Sequence, residues 1–100
     1  MARMSAQGTV VRDAPERSRY ELVIGERVVG FADYSLDGQV ITVPHVEVEP
    51  AARGGSLGSV LVRQMLDDVR HRGLSIRPLC PFVRVYIRGH EEYADLVAVS

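Results

Sequence analysis

The spacing of apolar residues changes along this chain, and each change predicts an element. Thr9-Val10-Val11 is a candidate short strand, and the polar run Asp13-Ala14-Pro15-Glu16-Arg17-Ser18 reads as a loop. Arg19 to Ile24 and Arg27 to Leu36 follow as strands, with Gly25-Glu26 as the turn between them. Asp37-Gly38 between two β-rich runs is the strongest hairpin signal in the chain. Gln39 to Val48 is the next strand, where Val46 and Val48 alternate with Glu47 and Glu49. Pro44 interrupts it and predicts a bulge or an unpaired edge position, because proline has no ladder N–H.

After Pro50 the period lengthens. Leu57, Val60, Leu61, Met65 and Val69 form the apolar stripe of a helix from Ser56 to Arg72. Ser56 is its expected N-cap and Gly73 its C′ residue, while Arg70, His71 and Arg72 suit the negative end. Asp68 falls on the apolar side, with no partner evident from the pattern. Leu74 to Leu79 is a short strand, parallel to the strand ending at Val48 because a helix connects them. Arg77 and Pro78 set it at the sheet edge. A second helix is expected from Pro81 to about Gly89, and a further helical turn from Glu91 to Val97. Met1 to about Gly8 is small and polar and is expected to fray. The reading is one domain over residues 1–100. It is an α+β fold in the order β-β-β-α-β-α, an antiparallel meander that gains one parallel strand.

Charge and composition remove whole classes of partner. A formal net charge of −1 lacks the basic excess of a nucleic-acid binder. No apolar run approaches a membrane span, and the N-terminus has no apolar leader segment. One cysteine precludes an internal disulfide and fits a reducing, cytoplasmic setting. Three separated histidines with that cysteine make no metal-ligand spacing, so no metal is expected.

The candidate chemistry starts between the strand ending at Val48 and the first helix. Arg53 to Gly58 reads Arg-Gly-Gly-Ser-Leu-Gly. Glycines there let backbone approach a ligand closely, and the helix entrance offers N–H groups and partial positive charge suited to a phosphate. The run matches neither the Walker nor the Rossmann pattern. It resembles the pyrophosphate loop of the Gcn5-related N-acetyltransferases, Gln/Arg-x-x-Gly-x-Gly/Ala, with Ser56 standing where the middle glycine is expected. The run from Pro78 to Tyr93 resembles the Pro-Leu-Cys-Pro-Phe-x-x-x-Tyr-Ile-x-x-His-Pro-Glu-Tyr signature of a minimal, single-domain branch of that family, with Glu91 replacing a proline. His45-Val46-Glu47-Val48 matches the His-x-Glu-Val that the branch carries before the loop, so the resemblance runs from about Tyr20 to Val97.

That resemblance implies an N-acetyltransferase that uses acetyl-CoA and acts on an unidentified amine. The pantetheine arm would lie where the parallel pair of strands splays, against the backbone of His45 to Val48. The pyrophosphate would sit on Arg53, Gly54, Gly55, Ser56, Leu57, Gly58 and Ser59. Ser56 would crowd it if that position required positive φ. Glu47 or His45, directly or through water, would take the amine proton, and main-chain N–H groups near Val46 or Val48 would face the oxyanion. Tyr86 matches the tyrosine that protonates the departing thiolate in many relatives. Cys80 either accepts the acetyl group or only lines the acetyl pocket. Arg84 and Arg88, on one helix face at i,i+4, read as a solvated face, with CoA phosphates as the alternative partner. The alternative reading is a module that binds CoA or acyl-CoA with weak turnover or none, because the chain lacks the extra elements that build an acceptor pocket in larger relatives.

Overall fold

Cross-strand pairing orders the meander predicted from the alternation. The computed structural model describes residues 3–4, 8–52 and 56–99. Six strands lie in one sheet in chain order: β1 (Arg3–Met4), β2 (Thr9–Ala14), β3 (Arg19–Ile24), β4 (Arg27–Asp37), β5 (Val40–Val48) and β6 (Ser75–Pro78). Neighbours from β1 to β5 are antiparallel, and β6 runs parallel to β5 at the sheet edge. Within the stretch expected to fray, Arg3–Met4 pair with Val10–Val11. β2 extends to Ala14, beyond the three residues expected, because its register carries Arg12, Asp13 and Ala14 onto β3. Gly38 turns the β4–β5 hairpin at φ 62°, a conformation that glycine adopts without steric cost.

The crossover from β5 to β6 is α1 (Leu57–His71), and α2 (Pro81–Arg88) follows β6. Leu61, Val62, Met65, Leu66 and Val69 of α1 are buried against Tyr20, Leu22, Ala32, Ile41, Val43 and Ile76 of the sheet. Gly73, at φ 70°, ends α1 as a left-handed C′ residue. Asp68 has its partners across the sheet. It accepts the Tyr20 hydroxyl, and the Arg72 guanidinium reaches Asp68, the Tyr20 hydroxyl and Asp13. Tyr34 donates to the same Asp13 at 2.6 Å. Its burial and this bond push its pKa up to about 12. The acid on the apolar side of α1 therefore ties the helix end to β2, β3 and β4.

One irregularity decides which side chains face which way. Asp33 pairs with His45 but Ser35 pairs with Thr42, so Val43 and Pro44 together oppose Tyr34. This is a β-bulge at the proline, where a missing N–H costs no ladder bond. It also inverts the alternation. Ile41 and Val43 point into the core; beyond Pro44, Val46 and Val48 point inward, and His45 and Glu47 point away from the helices. A regular strand would have put His45 and Glu47 in the core.

Candidate functional site

The β5–β6 ladder ends where the bulge begins. Its last register pair is Val43 with Pro78, and the N–H groups of Leu79 and Cys80 both donate to the Val43 carbonyl, at 3.1 and 3.0 Å. β6 then turns into α2 while β5 continues to Val48, so the two strands splay and open a wedge. Glu49 N–H donates to Val29 carbonyl at 2.8 Å, toward β4. By strand alternation Glu47 and His45 turn their backbone toward β4 as well, and Val46 and Val48 turn theirs toward the wedge.

The start of α1 forms the next wall. The first helical bond among the described residues runs from Val60 N–H to the Ser56 carbonyl, at 3.0 Å. The N–H groups of Leu57, Gly58 and Ser59 therefore belong to the first turn and point out of its end. Ser56 stands at the expected N-cap position, but its hydroxyl makes no capping bond. A capping residue is extended, whereas Ser56 has φ −97° and ψ 22°. Its φ is negative, so a side chain at this glycine-type position carries no backbone strain. Arg53, Gly54 and Gly55 lie outside the described residues.

Gly58 is tight for another reason. A Cβ there would lie 3.1 Å from Phe82 Cζ, 3.4 Å from Phe82 Cε2 and 3.8 Å from Val48 Cγ2. Phe82, one residue into α2, thus spans from α2 to α1 across the mouth of the wedge while staying 44% exposed. The sequence pattern did not single out Phe82. The signal was an aromatic at the second position of α2 facing a glycine in the first turn of α1, and it needs the helix packing to be read.

Cys80 is the N-cap residue of α2, with a buried thiol in the core cluster. His45 and Glu47 are about half-exposed on the opposite sheet face, with His45 Nε2 3.0 Å from Glu47 Oε1. Phe31 lies beside them, its ring centroid 6.0 Å from that of His45. Tyr86 is on the buried side of α2 and stacks on His90, with centroids 3.9 Å apart and planes 10° from parallel. Burial raises its pKa; Glu92 and Asp67 raise it further and Arg63 opposes them. Arg84 donates to the Leu79 carbonyl at 2.7 Å, so this residue of the expected solvated face holds the end of β6. Val46, Val48, Gly58 and Cys80 thus gather at the wedge. His45 and Glu47 share the sheet face behind it, and Tyr86 packs further along α2 with His90 and Tyr93. Among the described residues no group of acids, histidines and cysteine could hold a metal ion, and no helix is long and apolar enough to cross a membrane.

The model of one protein family, described as GCN5-related N-acetyl-transferase, matches residues 19–96. Among solved structures, a GCN5-like protein of Staphylococcus aureus is similar with a TM-score of 0.67 at 18% identity, over 90% of this chain and 88% of that one. The ribosomal-protein-S18-alanine N-acetyltransferase of Escherichia coli gives 0.61 at 16% identity, over 71% of this chain and 49% of its own. N-acetylglutamate synthase of Neisseria gonorrhoeae, solved with coenzyme A and N-acetyl-glutamate, gives 0.57 at 16% identity, over 89% of this chain and 26% of its own. These likenesses show the fold. Comparison with curated proteins gives no match.

Proposed function

Because this chain belongs to the GCN5-related N-acetyltransferase family, we propose that it moves the acetyl group of acetyl-CoA directly to a primary amine. The observation that carries this reading is the bulge at Pro44. It turns the backbone of Val46 toward the wedge and the His45–Glu47 pair toward the opposite sheet face, so thioester and amine approach one strand from two sides. Acetyl-CoA enters from the helix side. Its pyrophosphate takes the first-turn N–H groups of Leu57, Gly58 and Ser59, with Arg53, Gly54, Gly55 and Ser56 completing the loop. Its pantetheine arm runs along Val46 and Val48, and backbone N–H at Val46 polarises the carbonyl.

The amine arrives from the open face. Its nitrogen bonds to the acetyl carbon as the carbon–sulfur bond breaks, and its proton passes to the Glu47–His45 pair. Tyr86 returns a proton to the thiolate, its phenol being protonated at neutral pH as tyrosine ordinarily is. Cys80 lines the acetyl pocket without becoming acetylated, a reading supported by its 6% exposure inside the core. The lone buried thiol also fits the cytoplasm. A CoA-binding module without turnover is the second reading, favoured by the open setting of His45 and Glu47.

Release of free thiol from acetyl-CoA, measured with and without polyamine, amino-acid and peptide acceptors, decides between the two. Acceptor-dependent release together with an acetylated amine supports transfer. CoA binding with no release in the presence of any acceptor supports the module.

A further inference from the structure

The sheet face turned away from α1 carries a second polar construction, centred on β3. Glu21 is fully buried there, although Tyr20 and Leu22 on either side of it face the helix. Three arginines enclose it. Arg12 donates to Oε1 through Nε and Nη2, at 3.2 and 3.0 Å. Arg17 donates through Nε to Oε2 at 2.9 Å and through Nη2 to Oε1 at 3.3 Å. Arg19 adds Nε to Oε2 at 2.9 Å. A carboxylate has about four lone-pair sites, so Glu21 is saturated, whereas each guanidinium has N–H groups left over. Arg17 also lies 3.5 Å from Glu16, and Asp33 stands opposite Arg19 in the register, so what the arginines hold in surplus is N–H donors rather than net charge. One arginine would neutralise a buried glutamate; three, with Arg12 and Arg17 half-exposed, hold surplus donors toward solvent.

This cluster connects to the His45–Glu47 pair. The Arg19 guanidinium sits 4.7 Å from the centre of the Phe31 ring, and Phe31 in turn borders His45. The register aligns Arg12, Glu21, Phe31 and Glu47 in one row across β2, β3, β4 and β5. Asp33 occupies the adjacent row, between Arg19 and His45, and repels an anion from that path. Phe31 is the apolar step of its row, between Glu21 on β3 and Glu47 on β5. From β3 to β5 is two strand spacings, about 10 Å.

We propose that Arg12, Arg17 and Arg19, oriented by Glu21, bind the carboxylate end of an extended acceptor that crosses Phe31 and offers its amine to the His45–Glu47 pair. The substrate class is a linear amine with a carboxylate about 10 Å away, the span of an extended tripeptide. This proposal rests on the acetyl-transfer reading for the amine end only.

The test pairs triglycine with triglycinamide, which differ in that carboxylate. Titrating each into the isotope-labelled protein with CoA present, and following the arginine Nε–H signals, reads the clamp without turnover. Triglycine is expected to shift the signals of Arg12, Arg17 and Arg19, and triglycinamide to leave them in place. Triglycine leaving all three unmoved, or both peptides moving them alike, overturns the clamp. In transfer assays triglycine is expected to show a KM about tenfold lower, as for one added charge-assisted contact. Arg17→Gln and Arg12→Gln, at half-exposed positions, are each expected to shrink that difference; an undiminished difference in both folded variants also overturns the clamp. Signal shifts with no acetyl transfer to either peptide, nor to any polyamine or amino-acid acceptor, keep the clamp and refute the acetyl-transfer reading. Transfer to both peptides with equal KM does the reverse.

Discussion

Gly58 separates a folding constraint from a ligand constraint. An added methyl there meets the Phe82 ring at 3.1 and 3.4 Å and Val48 at 3.8 Å. The closest atoms belong to the tip of a partly exposed ring that can swing outward. Overpacking a rigid core costs about 1–3 kcal/mol. Here ring movement lowers that cost, and replacing glycine in a helix returns up to about 1 kcal/mol. Gly58→Ala is therefore expected to change stability by less than about 1 kcal/mol in urea unfolding. The new methyl and the displaced ring nevertheless occupy the wedge beside Val48, so CoA affinity is expected to fall at least about tenfold by calorimetry, or about 1.4 kcal/mol. Gly58→Val should lose more of both. Phe82→Ala isolates the causes. In the double variant Gly58→Ala/Phe82→Ala the stability effects should couple, because the contact is gone, while the CoA loss caused by the methyl itself persists. Full CoA affinity in a folded Gly58→Val protein would refute both the loop assignment and the wedge.

Other residues give independent checks. Tyr86→Phe is expected to lower kcat and leave CoA affinity nearly unchanged; equal losses would make it a packing residue. Cys80→Ala should still bind CoA and lose most transfer. Mass spectrometry of the turning-over protein should find no acetylated Cys80, and finding it would replace direct transfer with a covalent route. The Arg17 hydrogen bond, helped by Arg19 and Arg12 and opposed by burial, holds the Glu21 pKa at about 2, below its usual 4.5. The unfolded chain thus binds more protons than the native one between those values. The stability Glu21 contributes is present above about pH 4.5 and fades toward pH 2, and Glu21→Gln should flatten that part of the unfolding profile.

Elements with coincident local signals are legible in the sequence. Asp37-Gly38, the α1 stripe ending at Gly73, and Pro81 at the first position of α2 each combine spacing with a residue that the backbone requires. Features that depend on register are not. Arg3–Met4 has no pattern of its own and is a strand because β2 pairs with it. Asp68 has no local explanation because Tyr20, its partner, lies 48 residues away. Pro44 announces a bulge, but the facing of His45 and Glu47 follows only once Val43 and Pro44 are seen opposite Tyr34. The enclosure of Glu21 by Arg12 likewise needs the β2–β3 register. Ser56 shows the converse: its type suggests a capping hydroxyl, and the backbone angles deny it one.

CoA is proposed to sit in the wedge between β5 and α2, on the first turn of α1. Backbone amide shifts on titration of the labelled protein with CoA test it most directly. The largest changes are expected at Val46, Val48, Leu57, Gly58, Ser59 and Cys80, with little change on β2. Largest changes on β2 and β3, with the amides of Val46 and Gly58 unmoved at saturation, would contradict it.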